Sequence, residues 1–245
     1  MRNFKLVIQY DGSRYQGWQK QTSTENTIQG KIEAVLSKMC DKNMEIHGAG
    51  RTDAGVHACG QVANFISDTT MSSYEILMYL NQYLPDDISV ISCKTVSERF
   101  HSRLNAKGKM YRYRVWNHVE KPVFQKKYVY QVPDKLDLVA MNKAASLLCG
   151  THDFQSFTSA RKGKKSTVRT IESIQIATVG KEIVFNFKGD GFLYHMIRIL
   201  VGTLLEVGQG VREADSIPLL FESKDRSQAG YLTPGRGLSL MEVYF

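Results

Sequence analysis

The chain has 245 residues, 42% of them hydrophobic, enough to bury a real core in one large domain or two small ones. Lysine and arginine outnumber aspartate and glutamate 32 to 24, for a formal charge of +8; this is compatible with a polyanionic partner and equally with a merely basic soluble protein. The longest apolar stretch, 192–205, is interrupted by His195 and Arg198 and is shorter than the ~20 residues that cross a bilayer, so no membrane span is expected. Cys40, Cys59, Cys93 and Cys149 lack CxxC spacing, and MRNFKLVIQY lacks a signal-peptide core, which together read as a reduced, cytoplasmic protein.

Phe4, Leu6, Ile8 and Tyr10 alternate as a first strand, and DGSRYQG then supplies turn residues. Ile28, Ile32, Val35, Leu36 and Met39 recur at helical spacing. The decamer GAGRTDAGVH, from Gly48 to His57, sets a single carboxylate, Asp53, two residues after Arg51 and among three glycines. Such a loop lets a ligand or a second segment come close to the backbone, as active-site loops require. The same letters also describe an Asx-type turn capped by Asp53. Residues 60–67 read as the strand leaving this loop, and 77–83 as part of a second helix.

Lys107, Gly108 and Lys109 mark the expected boundary between an N-terminal part, 1–106, and a C-terminal part, 107–245. Beyond it, Tyr111, Tyr113 and Val115 fall on one strand face, with Arg112 and Arg114 on the other. Leu138, Met141, Ala145 and Leu148 suit a helix ended by Gly150. Strands at 174–178, 183–187 and 238–245, with an apolar helix from about Phe192, complete a mixed α+β order. Arg198 is the only charged residue between Asp190 and Glu206. A guanidinium cannot shed its charge, so in a buried helix it either snorkels to the surface or meets a carboxylate. If it pairs, Asp53 is the attractive partner, since a nearby cation would keep that carboxylate ionised as a nucleophile.

Three other classes are open to these residue types. A metal hydrolase would use His47, Asp53, His57 and Cys59, but no HExxH-type spacing accompanies them. A phosphate-binding loop would need GxxxxGK[ST], which the letters around Gly163 do not satisfy. A catalytically silent RNA-binding module would show the same basic charge and aromatics.

The decamer, YDGSRYQGWQKQ from Tyr10 to Gln21, MYRYRV from Met110 to Val115 and GFLYHMIRILVG from Gly191 to Gly202 together resemble, in that order, the tRNA pseudouridine synthase A (TruA) family. The resemblance spans nearly the whole chain, and its core is GRTDAGVHACGQVANF, from Gly50 to Phe65. It implies an α+β fold of two similarly built subdomains, with joined, mainly antiparallel sheets flanked by helices and a central catalytic cleft. The first subdomain would carry the Asp53 loop and the second Tyr111 and Arg198.

The implied chemistry is isomerisation of uridine to pseudouridine within RNA: the N-glycosidic bond breaks, the uracil turns, and C5 attaches to the ribose. It is redox-neutral and calls for no cofactor and no metal. Asp53 matches the nucleophile, adding to C6 of the base or attacking C1′ of the sugar. Tyr111 matches the tyrosine placed against the target uracil, and Arg198 the family's basic position. Arg51 matches an arginine that fills the space of an extruded base or holds a phosphate; a simple ion pair with Asp53 or a neighbouring acid is the other reading. Trp18 and Tyr113 read as structural.

Phosphate contacts are expected from Lys20, Arg103 and Lys109 and from Lys164 and Lys165 in the loop ARKGKKSTVR. The family's usual target is the anticodon arm of tRNA, nucleotides 38 to 40, recognised by a homodimer. Leu104, Asn105 and the segment YLTPGRGLSL depart from the family pattern, so another tRNA site or a ribosomal RNA stays open as the target.

Overall fold

In the computed structural model, which describes residues 1–160, 163 and 166–245, the chain divides into two compact units. One comprises Met1–Lys107 with Ser239–Phe245, the other Gly108–Leu238. The return of the chain into the first unit at Ser239 has no counterpart in a linear division at 106/107. Each unit combines helices with mainly antiparallel strands, an α+β architecture.

The first unit holds β1 (Arg2–Tyr10), α1 (Ile28–Cys40), β2 (His47–Gly48), β3 (His57–Ser67), α2 (Ser73–Tyr83), β4 (Ile88–Val96) and, from Ser239, β10 (Leu238–Tyr244). β1 lies antiparallel between β3 and β4; β3 also pairs antiparallel with β2 and parallel with β10. Alternation along β1 buries Phe4, Leu6 and Ile8, and Phe4 sits opposite Phe65 with ring centroids 5.2 Å apart. The Thr27 hydroxyl caps α1 by accepting from the Gly30 amide, and Ser72 and Glu75 form a capping box at α2 that holds the Glu75 carboxyl below its usual range.

Ile28, Ile32 and Leu36 of α1 are buried as expected, whereas Val35 and Met39 are half-buried and Glu33 takes an inner position. Its carboxylate accepts from Lys20 Nζ (3.1 Å), Gln29 Nε2 (2.8 Å) and the Ile46 amide (3.2 Å). Glu33→Ala strands the buried Ile46 amide and is expected to cost about 1–3 kcal/mol. Urea unfolding checks this, and an unchanged midpoint would mean that water replaces the carboxylate at no cost.

The second unit holds β5 (Gly108–Trp116), β6 (Tyr130–Gln131), α3 (Leu138–Leu148), β7 (Gly150–Asp153), β8 (Val168–Val179), β9 (Glu182–Gly189), α4 (Met196–Gly208) and α5 (Ile217–Ser223). Its strands run β5-β9-β8-β7, all antiparallel, with β6 parallel to β5. Tyr111, Tyr113 and Val115 are buried on one face of β5. On the other, Arg112 donates to Asn186 Oδ1 at 2.9 Å, and Arg114 grips Glu182 with two bonds of 2.7 Å.

The apolar helix starts at Met196 rather than near Phe192, because His195 adopts a left-handed φ of +64° that no α-helix continues through. Nearly every other side chain of α4 is buried. At Gly202 an added Cβ would lie 1.9 Å from the Tyr231 carbonyl oxygen, so only glycine lets the 230–233 segment lie against the helix. Among the described residues, no helix is long and apolar enough to cross a membrane.

Candidate active site

The Asp53 loop is held by the segment that follows β1. Tyr10 Oη hydrogen-bonds Thr52 Oγ1 at 2.8 Å, and burial pushes the Tyr10 phenol far above its usual range, so it stays neutral. The Trp18 amide donates to the Thr52 carbonyl (3.0 Å), the Gly55 amide to the Tyr15 carbonyl (3.3 Å), and the Val56 amide to the Asp53 carbonyl (3.1 Å). Gln61 Nε2 donates to the Gly50 carbonyl (2.8 Å). These bonds fix the backbone on both sides of Asp53, whose side chain is half-buried. The only local sign of this role in YDGSRYQGWQKQ is its glycines, Gly12 and Gly17, which permit backbone-to-backbone contact.

In the second unit, Tyr111 on β5 is 7% exposed and meets the Phe192 ring edge-on, centroids 5.4 Å apart. Arg198, in the first turn of α4, is half-buried, and its Nε donates to the Thr233 carbonyl at 2.7 Å. Thr233 Oγ1 returns a bond to the Arg198 carbonyl at 2.9 Å. The guanidinium is therefore oriented by a main-chain group, a partner that neither the snorkelling nor the ion-pair reading had named. Tyr113 donates to the Pro234 carbonyl at 2.8 Å, and burial raises its phenol well above the usual range. Thr233 and Pro234 thus tie α4 and β5 together through the 230–238 segment.

The residues expected to contact RNA are placed unequally. Arg51 and Arg103 are exposed. Lys109 is half-buried on β5, opposite Gly189. Lys20 is engaged with the buried Glu33 carboxylate. Lys164 and Lys165 lie outside the described residues. Of the residues weighed as metal ligands, His47 stacks on His101 with centroids 5.1 Å apart, and His57 Nδ1 accepts from the Gly12 amide at 3.0 Å. Among the described residues, no group of three or more His, Cys, Asp or Glu is arranged to hold a metal ion.

The profile of the family described as tRNA pseudouridine synthase matches residues 6–104 and 144–245, the two segments that carry Asp53 and Arg198. End to end in both chains, the sequence is 50% identical to tRNA pseudouridine synthase A of a Bacillus species and 46% identical to tRNA pseudouridine synthase A 2 of Bacillus cereus. It is 45% identical to tRNA pseudouridine synthase A of Acetivibrio thermocellus, again over the full length of both. Likeness of this extent defines an RNA-modifying isomerase, a pseudouridine synthase. The chain belongs to the tRNA pseudouridine synthase family.

Proposed function

We propose that this enzyme isomerises uridine to pseudouridine in the anticodon arm of tRNA, at nucleotides 38 to 40, with Asp53 as the nucleophile. The observation that carries the reading is the Asp53 carboxylate on a backbone clamped by Thr52, Gly55 and Val56. A nucleophile must be held near its attack geometry before the substrate arrives, and a loop fixed by main-chain bonds does that at no cost during reaction. The carboxylate adds to C6 of the uracil or attacks C1′ of the ribose; either route breaks the N-glycosidic bond and returns the base to the sugar through C5. Tyr111 provides a platform for the base, and Arg198 supplies the basic residue of the site. Exposed Arg51 takes the space of the extruded base or holds a neighbouring phosphate.

The enzyme works in the cytoplasm as a homodimer, without a cofactor or metal. Support for tRNA as substrate is the end-to-end likeness to enzymes named for it. The test is mapping of pseudouridine in an unmodified tRNA transcript after incubation with the enzyme, alongside light scattering of the free protein. Modification confined to 38–40 by a dimer is the expected result; modification only elsewhere in tRNA, or only in ribosomal RNA, overturns the target assignment.

Arg198→Lys keeps a positive charge but loses the Nε donor that Thr233 orients. A drop of about 10- to 100-fold in kcat with unchanged affinity for tRNA is expected, in keeping with the cost of small misplacements in an active site. Equal kcat in the two enzymes would mean that charge alone is required.

A further inference from the structure

Between β5 and β6 the chain makes a loop that the chemistry above does not use, and its tip carries the most exposed aromatic side chain among the described residues. Phe124 is 90% exposed, with Val123 65% and Val119 76% exposed beside it. The loop is built, not loose: the Val123 amide donates to the Lys121 carbonyl (2.9 Å) and the Tyr128 amide to the Gln125 carbonyl (2.7 Å). At its base, Trp116 Nε1 donates to the Glu120 carbonyl at 2.7 Å, Gln131 Nε2 to the His118 carbonyl at 3.1 Å, and Arg236 Nε to the Val129 carbonyl at 3.1 Å. Next to the tip is a mainly apolar hollow of about 460 Å³ lined by Pro122, Val123 and Val129 together with Lys121, Lys126 and Arg236.

Charge decides what this face suits. Within residues 117–132, Lys121, Lys126 and Lys127 outnumber a single acid, Glu120, and that carboxylate is engaged by Lys181, with His118 Nδ1 3.7 Å away. The aromatic tip therefore stands in a collar of positive charge. Two copies of the chain meeting here would bring two such collars together, which like-charge repulsion opposes. A polyanion bearing flat, stackable groups satisfies both the ring and the lysines.

We propose that this loop is an RNA-binding subsite: Phe124 stacks on an unpaired nucleobase of the substrate, and Lys121 and Lys126 hold the phosphates flanking it. The assignment rests on the reading of the enzyme as acting on RNA. It names a contact made for affinity, separate from the groups that perform the chemistry.

The test measures binding of unmodified tRNA to the full-length protein as a function of salt, with single-turnover rates and light scattering on the same samples. Phe124→Ala is expected to weaken binding about fivefold or more, with the rate at saturating RNA unchanged and with Phe124→Trp restoring affinity. Lys121→Ala with Lys126→Ala is expected to reduce the slope of log affinity against log salt by roughly two. Wild-type affinity and salt slope in these variants overturn the proposal. So does a Phe124→Ala protein of smaller oligomeric mass with unchanged affinity per chain, which would make the face an interface between copies. Tritium release from C5-labelled RNA by the wild type runs in parallel: its absence overturns the catalytic reading, while the binding series still decides the fate of the loop.

Discussion

Asp53→Asn is expected to abolish pseudouridine formation, lowering the single-turnover rate at saturating tRNA by about 10⁴-fold or more, the scale of losing a nucleophile that works as part of a unit. The amide matches the carboxylate in shape, and the loop around it is held through the main chain of Thr52, Asp53, Gly55 and Val56, none of which the substitution alters. The main-chain clamp should therefore persist, and affinity for tRNA should stay at the wild-type value. What is lost is the negative oxygen that attacks carbon. A variant whose rate stays within tenfold of wild type would remove Asp53 from the chemistry.

Gly12→Ala should do damage of a different kind from outside the loop. A Cβ at this position would lie 1.9 Å from the Val56 carbonyl oxygen and 2.6 Å from its carbon, both main-chain atoms that no side-chain rotation can move aside. The 12–18 segment and the Asp53 loop must then part, straining the bond from the Gly12 amide to His57 Nδ1. Overpacking of this sort costs about 1–3 kcal/mol of stability, and a displacement near 1 Å at the nucleophile costs about 100-fold in rate. Thermal unfolding and single-turnover kinetics read the two effects separately. A wild-type rate in a destabilised Gly12→Ala protein would show that the clamp serves folding and not catalysis.

The strands that alternate cleanly were legible in the letters. In β1 and β5 every second residue is a large apolar or aromatic one, and a period of two leaves one arrangement that buries them. β4, with the sequence ISVISCKTV, mixes polar residues into the same period and went unread, as did the four-residue β7. The start of α4 differs because Phe192 and Leu193 extend the apolar run of the helix that follows, and the left-handed turn at His195 has no letter that announces it. Glu33 occupies an inner position of α1 because two donors from outside the helix, Lys20 Nζ and the Ile46 amide, converge on it together with Gln29 from the preceding turn.

At the site, residue types were legible and partners were not. Asp53 stood out as one carboxylate among glycines, yet its clamp joins residues some forty positions apart, such as Tyr10 and Thr52 at a separation of 42, and nothing local encodes that. Thr233 orients Arg198 through a carbonyl that every residue possesses, so sequence alone could not single it out. Lys20 reads as a phosphate contact because it is a basic residue near a motif, and nothing local announces its ion pair with the buried Glu33 carboxylate.

The central claim, that this enzyme isomerises uridine in tRNA, is tested most directly by tritium release from RNA labelled at C5 of uracil, with wild-type enzyme on unmodified bulk tRNA and separately on ribosomal RNA. C5 must give up its hydrogen when it bonds to ribose, so release reports the isomerisation itself. Release from tRNA and not from ribosomal RNA is the predicted result. Tight binding of tRNA without release, from enzyme shown to be folded, would contradict it.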